Sequence, residues 1–173
     1  MSLRTFLLVD GYNIIHAWPE LEELTTLSLE SARVKLMDIL CNYQGVSGDT
    51  IILVFDGYLV KGNTGTVIEY NNIFVVYTKE AETADHYIEK TVSHLPKEYR
   101  VKVATNDGLE QTIIMGKGAT RITARELKQI IEQEERNIRI NYTEKRPAKN
   151  NMLMDNVDQK TLEWLEMMRR KKE

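Results

Sequence analysis

The sequence predicts an α/β domain with a mostly parallel central sheet and helices on both faces. Three observations predict it. Short apolar runs recur at 5–9, 51–55, 73–77 and 101–104. Stretches with apolar residues at helical spacing lie between them. Three of the runs stop at or just before an aspartate, in Val9-Asp10, Phe55-Asp56 and Val103-Ala104-Thr105-Asn106-Asp107.

Thr5–Val9 has β-branched and aromatic character, ends at Asp10-Gly11 and reads as a buried strand. From Leu29 to Tyr43, the residues Leu29, Ala32, Leu36, Ile39, Leu40 and Tyr43 fall on one helical face, with Ser28 as N-cap and Gly45 after the end. Ile51–Phe55 is a second strand, stopped by Asp56-Gly57. The Gly- and Thr-rich stretch Lys61–Thr66 reads as a mobile loop. Ile73–Tyr77 is a third strand, and a helix follows from about Thr83 to Leu95, where Pro96 halts it. Val101–Ala104 is a fourth strand, followed by a helix over Leu109–Met115. Thr120–Ile122 is a short fifth strand, and a helix then runs from Ala124 to Glu135. The polar, basic run Lys145–Asn151 reads as an exposed linker. A last helix over Asp158–Lys172 puts Leu162, Leu165 and Met168 on one face and ends in the basic run Arg169–Lys172. The chain is thus expected to divide into a globular part, 1–143, and a basic linker with a C-terminal helix, 144–173.

At 173 residues the chain suits one compact domain with an appendage. Its 42% apolar and 28% charged residues are those of an ordinary globular protein. No apolar run approaches the roughly 20 residues a bilayer demands, and Phe6–Val9 is too short for a signal peptide. Cys41 is the only cysteine, inside a helical pattern, and reads as a small buried hydrophobe. These features predict a cytoplasmic protein without membrane partners. Net charge is −3, but residues 121–173 hold 13 of the 23 Lys and Arg and 10 of the 26 acids, whereas residues 1–120 hold 10 basic and 16 acidic residues. An acidic body with a basic end can hold cations in one place and phosphates in another. A mixed, solvated surface is the plainer reading.

In an open parallel sheet the C-terminal strand ends share one edge, and ligands bind in the crevice outside it. Asp10, Asp56 and Asp107 are therefore expected to converge, joined by Glu82 and Asp85 from the start of the helix after the third strand. Carboxylates gathered in one cleft repel one another, and a hard divalent cation relieves that cost. Oxygen donors, with no Cys/His pair at zinc spacing, select Mg²⁺ or Mn²⁺. Such a cation activates water and stabilises charge on a phosphate, so phosphodiester hydrolysis is the natural reaction. Each aspartate taken singly reads equally well as a turn former or helix cap, and Asn13 either orients Asp10, touches substrate or caps the following turn.

Leu8-Val9-Asp10-Gly11-Tyr12-Asn13-Ile14-Ile15, followed in order by Phe55-Asp56-Gly57, Glu82-Thr83-Ala84-Asp85 and Ala104-Thr105-Asn106-Asp107, resembles the YacP-like branch of the NYN-domain proteins, part of the PIN-like nuclease group. The likeness runs from about residue 5 to about 135. It implies a PIN-like three-layer sandwich over 1–143, an acidic pocket for Mg²⁺ (or Mn²⁺) and endonucleolytic cleavage of single-stranded RNA. Some YacP-like proteins cut messenger RNA under translation, which makes the ribosome an expected partner. By motif, Asp10 is the first-strand metal ligand, Asp85 the helix-start acid, Asp107 the acid after the fourth strand and Asp56 a supporting carboxylate. Glu82 is either a further ligand or a cap of the helix bearing Asp85.

RNA affinity needs cations or stacking surfaces elsewhere. Lys61, Lys79, Arg121, Arg125 and Lys128 are candidates for phosphate contact, and Tyr12, Tyr58 and Trp18 for stacking on unpaired bases, each with packing or solvation as its plainer role. Lys145–Lys149 and Arg169–Lys172 offer contacts to ribosomal RNA or serve as a solubilising tail. His16, His86 and His94 share no spacing. Gly116-Lys117-Gly118 lacks the phosphate-loop pattern and follows a helix, which excludes that reading. Two rival functions remain open: a phosphohydrolase with Asp10 as nucleophile, and a non-catalytic RNA- or ribosome-binding module on the same fold.

Overall fold

A computed structural model describes residues 3–59, 64–143 and 155–171. Its strands are β1 (Thr5–Asp10), β2 (Thr50–Phe55), β3 (Thr66–Tyr70), β4 (Ile73–Tyr77), β5 (Arg100–Ala104) and β6 (Thr120–Ile122). Its helices are α1 (Gly11–Ala17), α2 (Pro19–Thr25), α3 (Leu29–Ser47), α4 (Ala84–His94), α5 (Gly108–Gly116), α6 (Ala124–Thr143) and α7 (Asp155–Arg170). The sheet order is β3-β4-β2-β1-β5-β6, parallel throughout except for β3.

Alternation along the strands builds two cores. Leu7, Val9, Ile51, Leu53 and Phe55 pack with α1, α2, α3 and α6 on one face. Phe6, Leu8, Ile52 and Val54 pack with α4, α5 and α7 on the other. The expected α/β architecture is present, with both faces of a mostly parallel sheet covered. The chain leaves β1 toward β2 and β4, then crosses back to β5 on the other side of β1. The order therefore reverses between β1 and β5, the place where open α/β sheets hold ligands.

Several elements differ from expectation. α3 keeps its Ser28 cap, whose side chain accepts from the Ser31 amide at 3.2 Å, but runs past Gly45 to Gly48, which stops it in the left-handed conformation at φ 69°. Thr66 opens a strand instead of closing a loop; residues 60–63, including Lys61, lie outside the described residues. The turn Asn71-Asn72 folds β3 back on β4, with Tyr70 opposite Ile73 and Asn71 at φ 51°. Helices α1 and α2 fill the stretch before α3, with Pro19 at the first turn of α2, where its missing N–H costs nothing.

The C-terminal helix lies on the second core and along the outer edge of β3. Leu165 and Met168 are buried, the Tyr87 hydroxyl donates to the Leu165 carbonyl at 3.1 Å, and the Val67 amide on β3 donates to Glu166 Oε1 at 3.2 Å. An otherwise open strand edge is thereby covered. The basic linker 145–151 lies outside the described residues. Among the described residues no helix is long and apolar enough to cross a membrane.

Candidate active site

Asp10 ends β1, the strand flanked by β2 and β5, so its carboxyl emerges at the point where the strand order reverses. Helix α1 begins at the next residue. This tight passage needs Gly11, because a Cβ there would stand 2.3 Å from the Phe55 ring. The abrupt turn lets the Asn13 backbone hydrogen-bond to Asp10. The Asn13 side chain reaches across to β5, its Oδ1 accepting from the Asn106 amide at 2.5 Å.

Three further carboxylates act on Asp10. Asp56 follows β2, and its Oδ1 accepts from the Ala84 amide at 2.7 Å, fixing the start of α4. Burial pushes the Asp56 carboxyl up, the Ala84 amide opposes this, and the Asp85 charge adds to the rise. Asp85 stands exposed in the first turn of α4, and its charge also acts on Asp10 and Glu110. Glu110 is the fourth acid. It is 4% exposed, and its Oε2 accepts from the Thr105 hydroxyl at 2.8 Å.

Asp10 and Glu110 act on each other. Burial raises Asp10 to about 6, opposed by its hydrogen bonds with Glu110 and the Asn13 backbone and helped by the charges of Asp56 and Asp85. Burial also raises Glu110, to about 8, with the Asp10 charge as the next cause. With both ionised, Glu110 Oε1 is buried without a donor. Burial and the neighbouring charge therefore favour a proton on the pair.

Asp107, expected as the acid after the fourth strand, is exposed and caps α5: its side chain accepts from the Leu109 amide at 2.9 Å and the Glu110 amide at 3.2 Å. The sequence reading stopped at Asp107 and missed Glu110, although Asp107-x-x-Glu110 has capping-box spacing, which turns the later side chain back toward the helix start. Glu82, expected beside Asp85, precedes α4 and points elsewhere: Lys90 Nζ donates to its Oε1 at 2.5 Å, within a buried ion pair. A lysine that is 6% exposed needs a carboxylate partner, and Glu82 supplies it.

The stacking and phosphate candidates are dispersed. Tyr12 is buried, its hydroxyl accepts from Arg33 at 2.9 Å and its ring lies 5.0 Å from Phe55 between centroids. Trp18 is buried, with its indole N–H on the Ala124 carbonyl at 2.9 Å. Neither ring is open to a base. Tyr58 is 71% exposed. Lys128 pairs with Glu20 at 2.8 Å, Arg121 Nη1 donates to Gln111 at 3.2 Å beside a separate groove between β6 and α6, and Arg125 is exposed on the first turn of α6. Lys79 is partly exposed ahead of α4. His16, which had no predicted role, lines the cleft at Asp10.

That cleft encloses about 440 Å³ between Asp10, Asp56, Tyr12, Asn13, His16 and Asn106. Among the described residues no three acidic, imidazole or thiolate groups stand together closely enough to hold an ion as they are. The chemistry still suits a magnesium-type cation, which retains several waters and takes only one or two carboxylates directly. A buried carboxylate oxygen without a donor, beside other carboxyls with no balancing charge, fits such a guest.

Comparison with known proteins places the whole chain. The YacP protein of Bacillus subtilis (strain 168) is 45% identical over 133 residues, which are 76% of this chain and 78% of that one. The crystal structure of Rae1 (YacP) from Bacillus subtilis superposes with a TM-score of 0.69 at 36% identity, covering 98% of this chain and 95% of that chain. Its tryptophan-to-leucine mutant superposes with the same TM-score of 0.69, covering 94% and 98%. The YacP-like NYN domain matches residues 7–170, so the match extends through α7. The chain belongs to the YacP-like NYN domain family.

Proposed function

We propose that this protein is a divalent-metal-dependent endoribonuclease that cleaves single-stranded RNA, with messenger RNA at the ribosome as its setting. The observation that carries the reading is the gathering of Asp10, Asp56, Asp85 and Glu110 at the reversal of strand order, where burial and mutual charge push Asp10, Asp56 and Glu110 up. A purely structural core gains nothing from such a cluster, because each desolvated carboxylate costs stability. Family membership supports a nuclease over a phosphohydrolase that uses Asp10 as nucleophile. The ribosomal setting rests on the family resemblance and on the basic C-terminal part of the chain.

Asp10, Glu110, Asp56 and Asp85 would hold Mg²⁺ or Mn²⁺. When bound, the cation supplies charge neutralisation and Lewis acidity toward a phosphodiester. The chain's own groups then have defined tasks. The Asn13 backbone N–H and the Ala84 amide fix Asp10 and Asp56, and the Thr105 hydroxyl fixes Glu110. On taking up the cation, the Asp10–Glu110 pair would release the proton that burial favours and serve as oxygen ligands. Hydrolysis balances as water adding its oxygen to phosphorus while one ester oxygen departs with a proton.

The test is cleavage of an end-labelled messenger RNA with Mg²⁺ or Mn²⁺, with and without translating ribosomes, by wild type, Asp10→Asn and Asp85→Asn. Metal-dependent cuts lost in both variants, each still folded, are the expected result. Cuts seen only with ribosomes make substrate presentation part of the activity. No cutting in either setting, or equal cutting by the variants, overturns the nuclease reading in favour of a non-catalytic RNA- or ribosome-binding module.

A further inference from the structure

The cleft at Asp10 is chemically two-sided. Asp10 and Asp56 line it with carboxylates, Asn13 and His16 line it from α1, and Asn106 lines it from the loop after β5. The orientation of both amides is fixed by their partners. Asn13 Oδ1 accepts from the Asn106 amide at 2.5 Å, and Asn106 Oδ1 accepts from the Ala124 amide at 2.8 Å. A backbone N–H only donates, so the atom it meets is the side-chain oxygen in each case. Each amide thereby keeps its Nδ2 donor pair clear of that bond, beside one remaining lone pair on Oδ1. His16 lies three residues after Asn13 on the same face of α1. Its side chain is 58% exposed, with Glu22 3.7 Å away, a solvated contact too loose to hold the imidazole in place.

A cleft that offers amide and imidazole donors beside carboxylates matches a ligand made of acceptors that meets a cation at one point. A phosphodiester strand has that character, and amide and imidazole donors are ordinary phosphate contacts. The volume, about 440 Å³, falls in the range of roughly 300–1,000 Å³ seen for small-ligand sites and gives room for a nucleotide unit. We propose that this groove seats the RNA strand on one side of the phosphodiester to be cut, with Asn13 and Asn106 donating through Nδ2 and His16 contacting the neighbouring phosphate. The assignment takes its ligand class, single-stranded RNA, from the function proposed above.

The experiment measures binding without cleavage: fluorescence anisotropy of a labelled single-stranded oligoribonucleotide, in EDTA, with the full chain carrying Asp10→Asn as parent. His16→Ala added to this parent weakens binding about tenfold, the scale of one hydrogen bond to a charged group. Asn106→Asp keeps the acceptor that Ala124 requires and exchanges only the donor for a charge, so it weakens binding by at least about as much. His16→Lys binds no more weakly than the parent. Unchanged affinity in both His16→Ala and Asn106→Asp, or no binding by the parent itself, overturns the assignment. Thermal unfolding of each variant at the parent's temperature shows that the comparison is between folded proteins. If wild type fails to cut RNA while these losses persist, the nuclease reading falls and the contacts of the groove with RNA stand. If wild type cuts and the losses are absent, only the groove assignment falls.

Discussion

Glu110, in the first turn of α5, is buried against Asp10 at the end of β1, and Asp107 holds it there by capping its backbone amide at 3.2 Å. Two acids on elements separated by a hundred positions thus act as one titrating unit.

This pair makes stability depend on pH. Both carboxyls bind protons more tightly in the folded state, at about 6 and about 8 against ordinary values of 3.8 and 4.5. The folded state therefore binds more protons than the unfolded state across that span, and stability falls as pH rises from about 4 through 8. Glu110→Gln removes much of this slope. At pH 8 without divalent cation it raises the melting temperature by at least about 2 °C, the shift about 1 kcal/mol carries in a chain of this size. Mg²⁺ stabilises wild type at pH 8 more than at pH 6, because binding must displace the proton that burial favours. Thermal melts at several pH values, with Mg²⁺ or EDTA, check both expectations. A melting temperature that rises from pH 5 to 8 in EDTA contradicts the assignment.

Asp107 is expected to act through its cap. Asp107→Ala costs about 1 kcal/mol of stability and lowers RNA cleavage by displacing Glu110. Asp107→Ser retains a capping oxygen and restores most of both. Chemical denaturation and a cleavage assay on the same samples separate the roles, since loss of cleavage in a stable Asp107→Ser protein would make Asp107 a direct ligand.

Glu82→Gln strands the buried Lys90 ammonium and destabilises the fold by about 3 kcal/mol. Because Glu82 faces Lys90 rather than Asp10, the variant retains the wild-type turnover number and the wild-type Mg²⁺ requirement below its melting temperature. Steady-state kinetics across a metal titration test this, and a raised metal requirement would return Glu82 to the ligand set.

Gly11→Ala drives a Cβ into the Phe55 ring, and overpacking of this kind costs about 1–3 kcal/mol. The shift reaches Asp10 next door, so cleavage falls as well. Phe55→Leu on the Gly11→Ala background relieves the clash and recovers part of the stability, as equilibrium denaturation of the double variant would show.

The sheet was legible because its central strands are continuous apolar runs that only a doubly covered sheet can bury. Asp10 and Asp56 were legible as places where those runs stop. β3 was not, because only Val67 and Tyr70 along it are even partly buried, and α7 covers it from far along the chain. The Asn-Asn turn at 71–72 was the missed local signal. Glu110 escaped because a glutamate in a helical stretch ordinarily points to solvent, and only the position of α5 against β1 turns it inward. Tyr12 and Trp18 looked available for stacking until tertiary packing occupied their rings. The amide donors at Asn13 and Asn106 could not be read at all, since they depend on which end of each amide the backbone claims.

The bond from Val67 to Glu166 spans 99 positions. At roughly 5–20 residues per second, a ribosome making this chain leaves the flank of β3 without its cover for about 5–20 s on every copy. During that interval the exposed amide row is a template for any neighbouring nascent strand. Slow stretches in the message between these two codons would lengthen the risk, so yield in a crowded polysome should depend on elongation rate as well as on the finished molecule's stability.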